Sequence, residues 1–197
     1  MTERIVLAGK TFGVIIETAR LRLRPLREDD LADMVKLIDN WEVACWLSAV
    51  PHPYTEADGR KWIALVHQDH ATSRPLRFAV ALKETDRLIG GVGLDGNTGD
   101  ESEELAVGYW LGQPYWGNGY AYEAARTAID DGFGRLGLGE IVAFTVPANQ
   151  ASRRVMEKLG MTHDPTEDFD FEHPRLPRGH PLRCHVLYRL RRPALGP

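Results

Sequence analysis

The chain has 197 residues, 43% of them hydrophobic and 26% charged, with 24 Lys and Arg against 28 Asp and Glu for a net charge of −4. Those fractions exclude an intrinsically disordered or low-complexity chain, and the length fits a single domain, 1–197, able to bury about 70% of its unfolded surface. The mildly acidic balance excludes the basic footprint of a protein that binds nucleic acid through its phosphates. Cys45 and Cys184 are far apart and lack CxxC or Cys/His spacing, which rules out a disulfide framework or zinc ribbon. Both sit in apolar company and read as buried, reduced thiols. The apolar run Ile5–Ala8 is too short for a secretory signal or a membrane span, which need about 7–15 and about 20 apolar residues. A cytoplasmic protein with no membrane partner is expected.

The first expected element is a strand in which Leu21, Leu23 and Pro25 alternate with Arg20, Arg22 and Arg24, the arginines forming a solvated face. Leu31, Met34, Val35 and Ile38 then share one helical face behind Asp29 and Asp30. A second helix opens at Thr55-Glu56-Ala57-Asp58, a capping-box pattern, with Trp62, Leu65 and Val66 as its apolar side. The stretch Trp41–Tyr54 between these helices reads as an irregular connection. Residues 76–94 read as an antiparallel hairpin turning at Glu84–Arg87, followed by a loop marked by Gly96, Asn97, Gly99 and Asp100.

Leu105–Leu111 is the next strand. From Tyr120 the pattern is helical, with Ala121, Ala124, Ala125, Ala128 and Gly132 forming a small-residue stripe that lets the backbone approach a sheet closely. Ile141–Val146, apolar but for Thr145, fits a short strand buried on both faces. Asn149 as N-cap and Gly160 as C′ residue bracket a helix over 150–159. A Pro-rich connection (Pro165, Pro174, Pro177, Pro181) leads into a last strand, Leu182–Leu190, with Leu182, Cys184, Val186, Tyr188 and Leu190 toward one face. This order describes an α+β domain built on one mixed, mostly antiparallel sheet flanked by helices.

Three glycine-rich stretches compete as anion-binding loops. Gly91-Val92-Gly93-Leu94-Asp95-Gly96 fits G-x-G-x-x-G, but the residues after it cannot open a helix; Gly132–Gly137 fits too, but follows a helix. Both read as turns and bulges. The third, Trp116-Gly117-Asn118-Gly119-Tyr120-Ala121, lies between a strand and a helix N-terminus, where free N–H groups and the helix dipole attract an anion. No P-loop lysine follows, which disfavours nucleotide hydrolysis. On the glycines alone, an ordinary β-to-α turn remains open.

The longer run Gly108-Tyr109-Trp110-Leu111-Gly112-Gln113-Pro114-Tyr115-Trp116-Gly117-Asn118-Gly119-Tyr120-Ala121-Tyr122-Glu123-Ala124 resembles the acetyl-CoA-binding motif of the GNAT superfamily of N-acetyltransferases. Asn149-Gln150-Ala151-Ser152-Arg153-Arg154-Val155-Met156-Glu157-Lys158-Leu159-Gly160-Met161 and the opening Glu17–Pro25 resemble further segments of its ribosomal-protein alanine acetyltransferase branch. The likeness covers about 17–190. It implies a sheet splayed between the fourth and fifth strands, with acetyl-CoA as co-substrate, no metal, and an amine acceptor: a protein N-terminal α-amine or a small amine. The implied contacts to coenzyme A are Trp110, Leu111, Trp116, Gly117, Asn118, Gly119, Tyr120, Ala121, Asn149 and Ser152. Pro114 stands where many members carry Arg or Gln, with Gln113 beside it. Met156 stands where other branches place a tyrosine acid, and Ser152 is the catalytic substitute that the resemblance points to. Glu104 is the candidate base, since it shares a strand face with Ala106 and Gly108; a solvated turn is its alternative.

His67 and His70, at helical spacing, read as a solvated polar face rather than a metal pair. The acids Glu167, Asp168, Asp170 and Glu172 either steer a cationic amine or are neutralised by Arg175, Arg178 and Arg183. Of the five tryptophans, Trp46 and Trp116 are expected near the site. A non-catalytic acyl-CoA-binding module and an oligomeric scaffold are the competing functions, and a monomer or a homodimer is expected.

Overall fold

Two strands precede the first one expected from the sequence: β1 (Thr2–Leu7) and β2 (Lys10–Glu17) form an antiparallel pair. In this computed structural model the described residues are 2–7, 10–47, 50–71, 76–95, 104–171, 178–180 and 182–193. The loop expected around Gly96–Asp100 lies outside them, as do Glu172, Pro174, Arg175, Pro177 and Pro181. Val14 and Ile16 of β2 are buried. Their run Val14-Ile15-Ile16 has no polar alternation, so the period-two signal that marks a half-exposed strand is absent. The chain forms two compact units, Met1–Gly93 with Tyr109–Thr127, and Leu94–Gly108 with Ala128–Pro197.

In the first unit, β2 pairs with β3 (Leu21–Arg24), β3 with β4 (Arg77–Leu82), and β4 with β5 (Leu88–Asp95), all antiparallel. Leu21 and Leu23 are fully buried, as their alternation requires. Arg24 departs from expectation: it is 1% exposed, not part of a solvated face. Its guanidinium binds Asp30 through two bonds of 2.7 and 2.9 Å and Asp86 at 3.0 Å, so the buried charge is paired. Asp86 sits in the β4–β5 turn with φ +54° and also engages Arg22 and Arg27.

Helices α1 (Leu31–Ile38) and α3 (Glu56–His70) run as expected, and the Thr55–Asp58 capping box forms in both directions. The buried face of α3 is Gly59, Ile63, Val66 and His70, while Trp62 and Leu65 are exposed. His70 therefore does not belong to a solvated face: Nε2 meets the Arg77 carbonyl at 2.6 Å and the ring packs edge-on against Phe78. The expected irregular stretch begins with a short helix, α2 (Trp41–Ala44), capped by the Asn40 side chain on the Glu42 N–H. Gly91 and Gly93 are strand residues of β5, not turns. A Cβ on Gly91 would stand 2.6 Å from the Trp110 indole nitrogen, and one on Gly93 2.9 Å from the Leu76 carbonyl oxygen.

Strand β6 (Ala106–Leu111) belongs with its first half to the second unit and with its last half to the first. In the second unit it runs parallel to β7 (Glu140–Thr145), in register at Ala106 opposite Val142. Antiparallel β10 (Cys184–Arg191) follows, carrying the two-residue strands β8 (Thr162–His163) and β9 (Phe169–Asp170). Pairing is thus mixed and mostly antiparallel, the α+β arrangement expected. His185, Val186, Leu187 and Tyr188 are all buried, so β10 does not alternate, and Cys184 is exposed rather than buried. Helix α4 (Tyr120–Gly134) carries the small-residue stripe. Within the second unit a Cβ on Gly132 would lie 2.8 and 2.9 Å from the side chains of Leu94 and Ile141, the close approach that stripe permits. Helix α5 (Gln150–Lys158) ends before Gly160 at φ +81°.

Candidate active site

Between β6 and α4 the first unit builds the loop that the sequence singles out. A 3₁₀ turn, Gln113–Tyr115, follows Gly112, and the Trp116 indole N–H donates to the Leu111 carbonyl at 2.8 Å, closing the loop at its base. Gly117 and Gly119 take φ of +77° and +78°, a region that costs an L-residue about 1–2 kcal/mol. Residues Trp116–Gly119 are exposed. The first main-chain bond of α4 runs from the Glu123 N–H to the Gly119 carbonyl at 3.1 Å. Among the described residues, no protein acceptor takes the N–H groups of Gly117, Asn118 or Gly119. The helix's own first-turn amides lack partners for geometric reasons. The loop thus offers several exposed donors, on and beside glycines that leave room for a ligand.

Three residues outside the loop brace it. Arg20 donates through Nη1 to the Asn118 carbonyl (2.9 Å) and through Nε to Glu123 (2.7 Å), with its guanidinium 4.6 Å above the Tyr120 ring. Glu123 also accepts from the Arg20 main-chain N–H (3.0 Å) and the Thr18 hydroxyl (2.5 Å). Burial pushes the Glu123 carboxyl up, but the Thr18 and Arg20 hydrogen bonds and the Arg20 charge outweigh it and hold the group below its ordinary value. Sequence reasoning missed this cluster. Arg20 looks like one arginine of an alternating strand, and Glu123 is 103 residues away.

Trp110 and Leu111 also belong to the first unit; Trp110 packs against the core beside α1 and α3, and Leu111 is buried. Trp46 and Trp116 are exposed. The Asn40 amide donates to the Gln113 side chain at 2.7 Å, tying the α2 cap to the 3₁₀ turn.

In the second unit, Asn149 caps α5 by accepting the Ser152 N–H at 3.1 Å. Among the described residues its Nδ2 has no acceptor, so capping leaves a donor for a second task. Ser152 lies half-buried in the first turn, and Met156 is in the core. Glu104 precedes β6 and accepts from Arg189 at 2.7 Å; Arg189 also binds Glu167 (3.0 Å) and Glu140. The loop acids are paired too: Asp168 with His163 (2.8 Å) and Asp170 with Arg183 (3.0 Å). Arg183 thus pairs with one of the loop acids, as the neutralising alternative requires, Arg189 with another, Glu167, and the His163 ring hydrogen-bonds Asp168. No group of three or more potential metal ligands occurs among the described residues, and no helix there is long and apolar enough to cross a membrane.

Comparison with known proteins follows the same outline. The family model of the acetyltransferase (GNAT) domain matches residues 20–162. An N-acetyltransferase named p20 from Bacillus licheniformis is 31% identical over 72% of this chain and 79% of its own. The ribosomal-protein-S5-alanine acetyltransferase of Vibrio fischeri superposes with a TM-score of 0.72 at 20% identity, covering 93% of this chain and 99% of that one. The spermidine N-acetyltransferase of Vibrio cholerae, solved with CoA and spermine, gives a TM-score of 0.67 at 19% identity over 88% and 96%. At those identities the two structures show a shared fold.

Proposed function

Because the chain belongs to the GNAT acetyltransferase family, and is thereby an acetyl-CoA-dependent acyltransferase, we propose that it acetylates a primary amine by direct attack within a ternary complex. The observation that carries this reading is the Gly117–Ala121 segment, whose exposed donors and left-handed glycines fit a pyrophosphate. The whole chain is read as one catalytic domain with its core over about 17–190. Trp110, Leu111 and the main chain of β6 would hold the pantetheine arm, with a β6 N–H polarising the thioester oxygen. Asn149 would donate its spare Nδ2 hydrogens to the same arm.

The reaction needs a neutral amine, a polarised carbonyl and a protonated leaving group. The amine lone pair forms the C–N bond; the C–S bond then breaks, and sulfur leaves with the bonding pair. Ser152 is assigned to supply the proton that sulfur takes, while nitrogen loses one of its own. Glu104 is assigned to receive that proton through water. Its Oε1 is already engaged by the Arg189 guanidinium at 2.7 Å, so bulk water shares in the acceptor's deprotonation. An N-terminal α-amine and a small polyamine both satisfy these requirements; the two solved relatives are named for an alanine of ribosomal protein S5 and for spermidine.

The test is thiol release from acetyl-CoA across an amine library that includes short N-terminal peptides and polyamines. Turnover with at least one class is expected. Tight coenzyme A binding with no turnover on any amine would replace this reading with a non-catalytic acyl-CoA-binding module, and no binding at all would leave a scaffold.

A further inference from the structure

The glycine loop carries a liability in its own helix. Glu123 lies in the first turn of α4, with its carboxylate bound by the Thr18–Arg20 connection between β2 and β3. A negative charge at a helix N-terminus is stabilising by itself, but beside a bound diphosphate it repels the ligand that the loop is built for. Among the described residues, the hydrogen bonds to the Glu123 carboxylate all come from one short segment: the Thr18 hydroxyl, the Arg20 N–H and the Arg20 guanidinium. The same guanidinium holds the Asn118 carbonyl at 2.9 Å, between the two left-handed glycines. That bond fixes the peptide that joins the Asn118 carbonyl to the Gly119 N–H. Arg20 remains half-exposed, 47% by side chain, and its Nη2 is the atom nearest to where a Gly119 Cβ would stand, at 3.5 Å. A cation is thus built into the rim of the anion loop by a residue outside it.

We propose that Arg20 is a positioning residue for the coenzyme: it neutralises Glu123, locks the Asn118 peptide so that the loop amides face outward, and adds positive charge at the pyrophosphate. The inference rests on the loop being the pyrophosphate site. The Tyr120 ring under the guanidinium restrains it to this position, which a free surface arginine would not keep.

Tryptophan-fluorescence titrations with coenzyme A and with pantetheine, which lacks the diphosphate, separate the two layers of the argument. Wild type should bind coenzyme A far better than pantetheine; equal affinities would overturn the loop assignment itself. Arg20→Ala should weaken coenzyme A binding by about 10-fold or more, the scale of one hydrogen bond to a charged group, and leave pantetheine binding nearly unchanged, while urea unfolding reads separately what the lost Glu123 pair costs the fold. The loss should shrink at high salt. Adding Glu123→Gln to Arg20→Ala should recover part of the lost affinity, because the uncompensated carboxylate is gone. Wild-type coenzyme A affinity in Arg20→Ala, an equal loss for both ligands, or no recovery in the double variant would overturn the proposal.

Discussion

Replacing Gly119 tests the loop at the residue where geometry is least forgiving. At φ +78° an L-residue costs about 1–2 kcal/mol, and a β-branched one more. Space is not the obstacle, since a Cβ there meets only Arg20 Nη2, at an ordinary 3.5 Å. Gly119→Ala therefore has two outcomes with the same energy scale. If the loop is rigid, stability falls by about 1–2 kcal/mol. If it relaxes to a negative φ, the Gly119 and Tyr120 amides turn away, and coenzyme A affinity falls by the corresponding factor of about 5–30. Gly119→Val should lose at least as much affinity, since its methyl groups project from an exposed loop at the ligand's approach. Gly119→Asn should lose less, because Asn tolerates the left-handed region. Gly134→Ala, at the exposed end of the same helix with no neighbour within 4 Å of the new Cβ, should be neutral or stabilising and leaves the loop untouched. Calorimetric titration with coenzyme A, paired with urea unfolding, reads both quantities. Wild-type affinity and stability in Gly119→Val would refute the reasoning.

Ser152→Ala should lower turnover by about 100-fold or more with a much smaller change in coenzyme A affinity; steady-state rates equal to wild type would remove its assignment as the acid. Asn149→Ala should cost about 1 kcal/mol through the lost α5 cap, read by urea unfolding, and should also weaken coenzyme A binding. Arg24→Ala leaves Asp30 buried without its partner and should destabilise by about 3–5 kcal/mol, and a loss under 1 kcal/mol would show that the pair is solvated in solution. The pH dependence follows from Glu123 and Asp86, each pushed up by burial but held lower overall, Glu123 by the Thr18 hydroxyl and Arg20 and Asp86 by Arg27 and Arg24. A depressed folded-state value makes each contribute stability that is complete above the ordinary carboxylate range and lost as pH falls through the lower value. Acid unfolding should therefore begin below about pH 4.5, and Glu123→Gln should flatten that limb; an unchanged acid limb would show that Glu123 is not linked to folding.

Elements whose signals are local can be read from the sequence alone. The Thr55–Asp58 capping box, the Asn149 cap, the Gly160 stop and the 76–94 hairpin all depend on residues a few positions apart, and each forms. The glycine loop was legible for the same reason: strand, Gly-x-Gly and helix start are contiguous. Whatever depends on partners distant in the chain emerges with the fold. Arg24 looks solvated by alternation, yet Asp86, 62 residues away, and Asp30 make it a buried hub. Glu104 carries no sign that Arg189 will claim its carboxylate, and nothing in the Ala19-Arg20-Leu21 stretch announces that Arg20 will brace a loop about a hundred residues later. Periodicity reports which face of an element is apolar. It cannot report which charge another element will bring to the polar face, because that pairing is set by strand order and register rather than by neighbours in sequence.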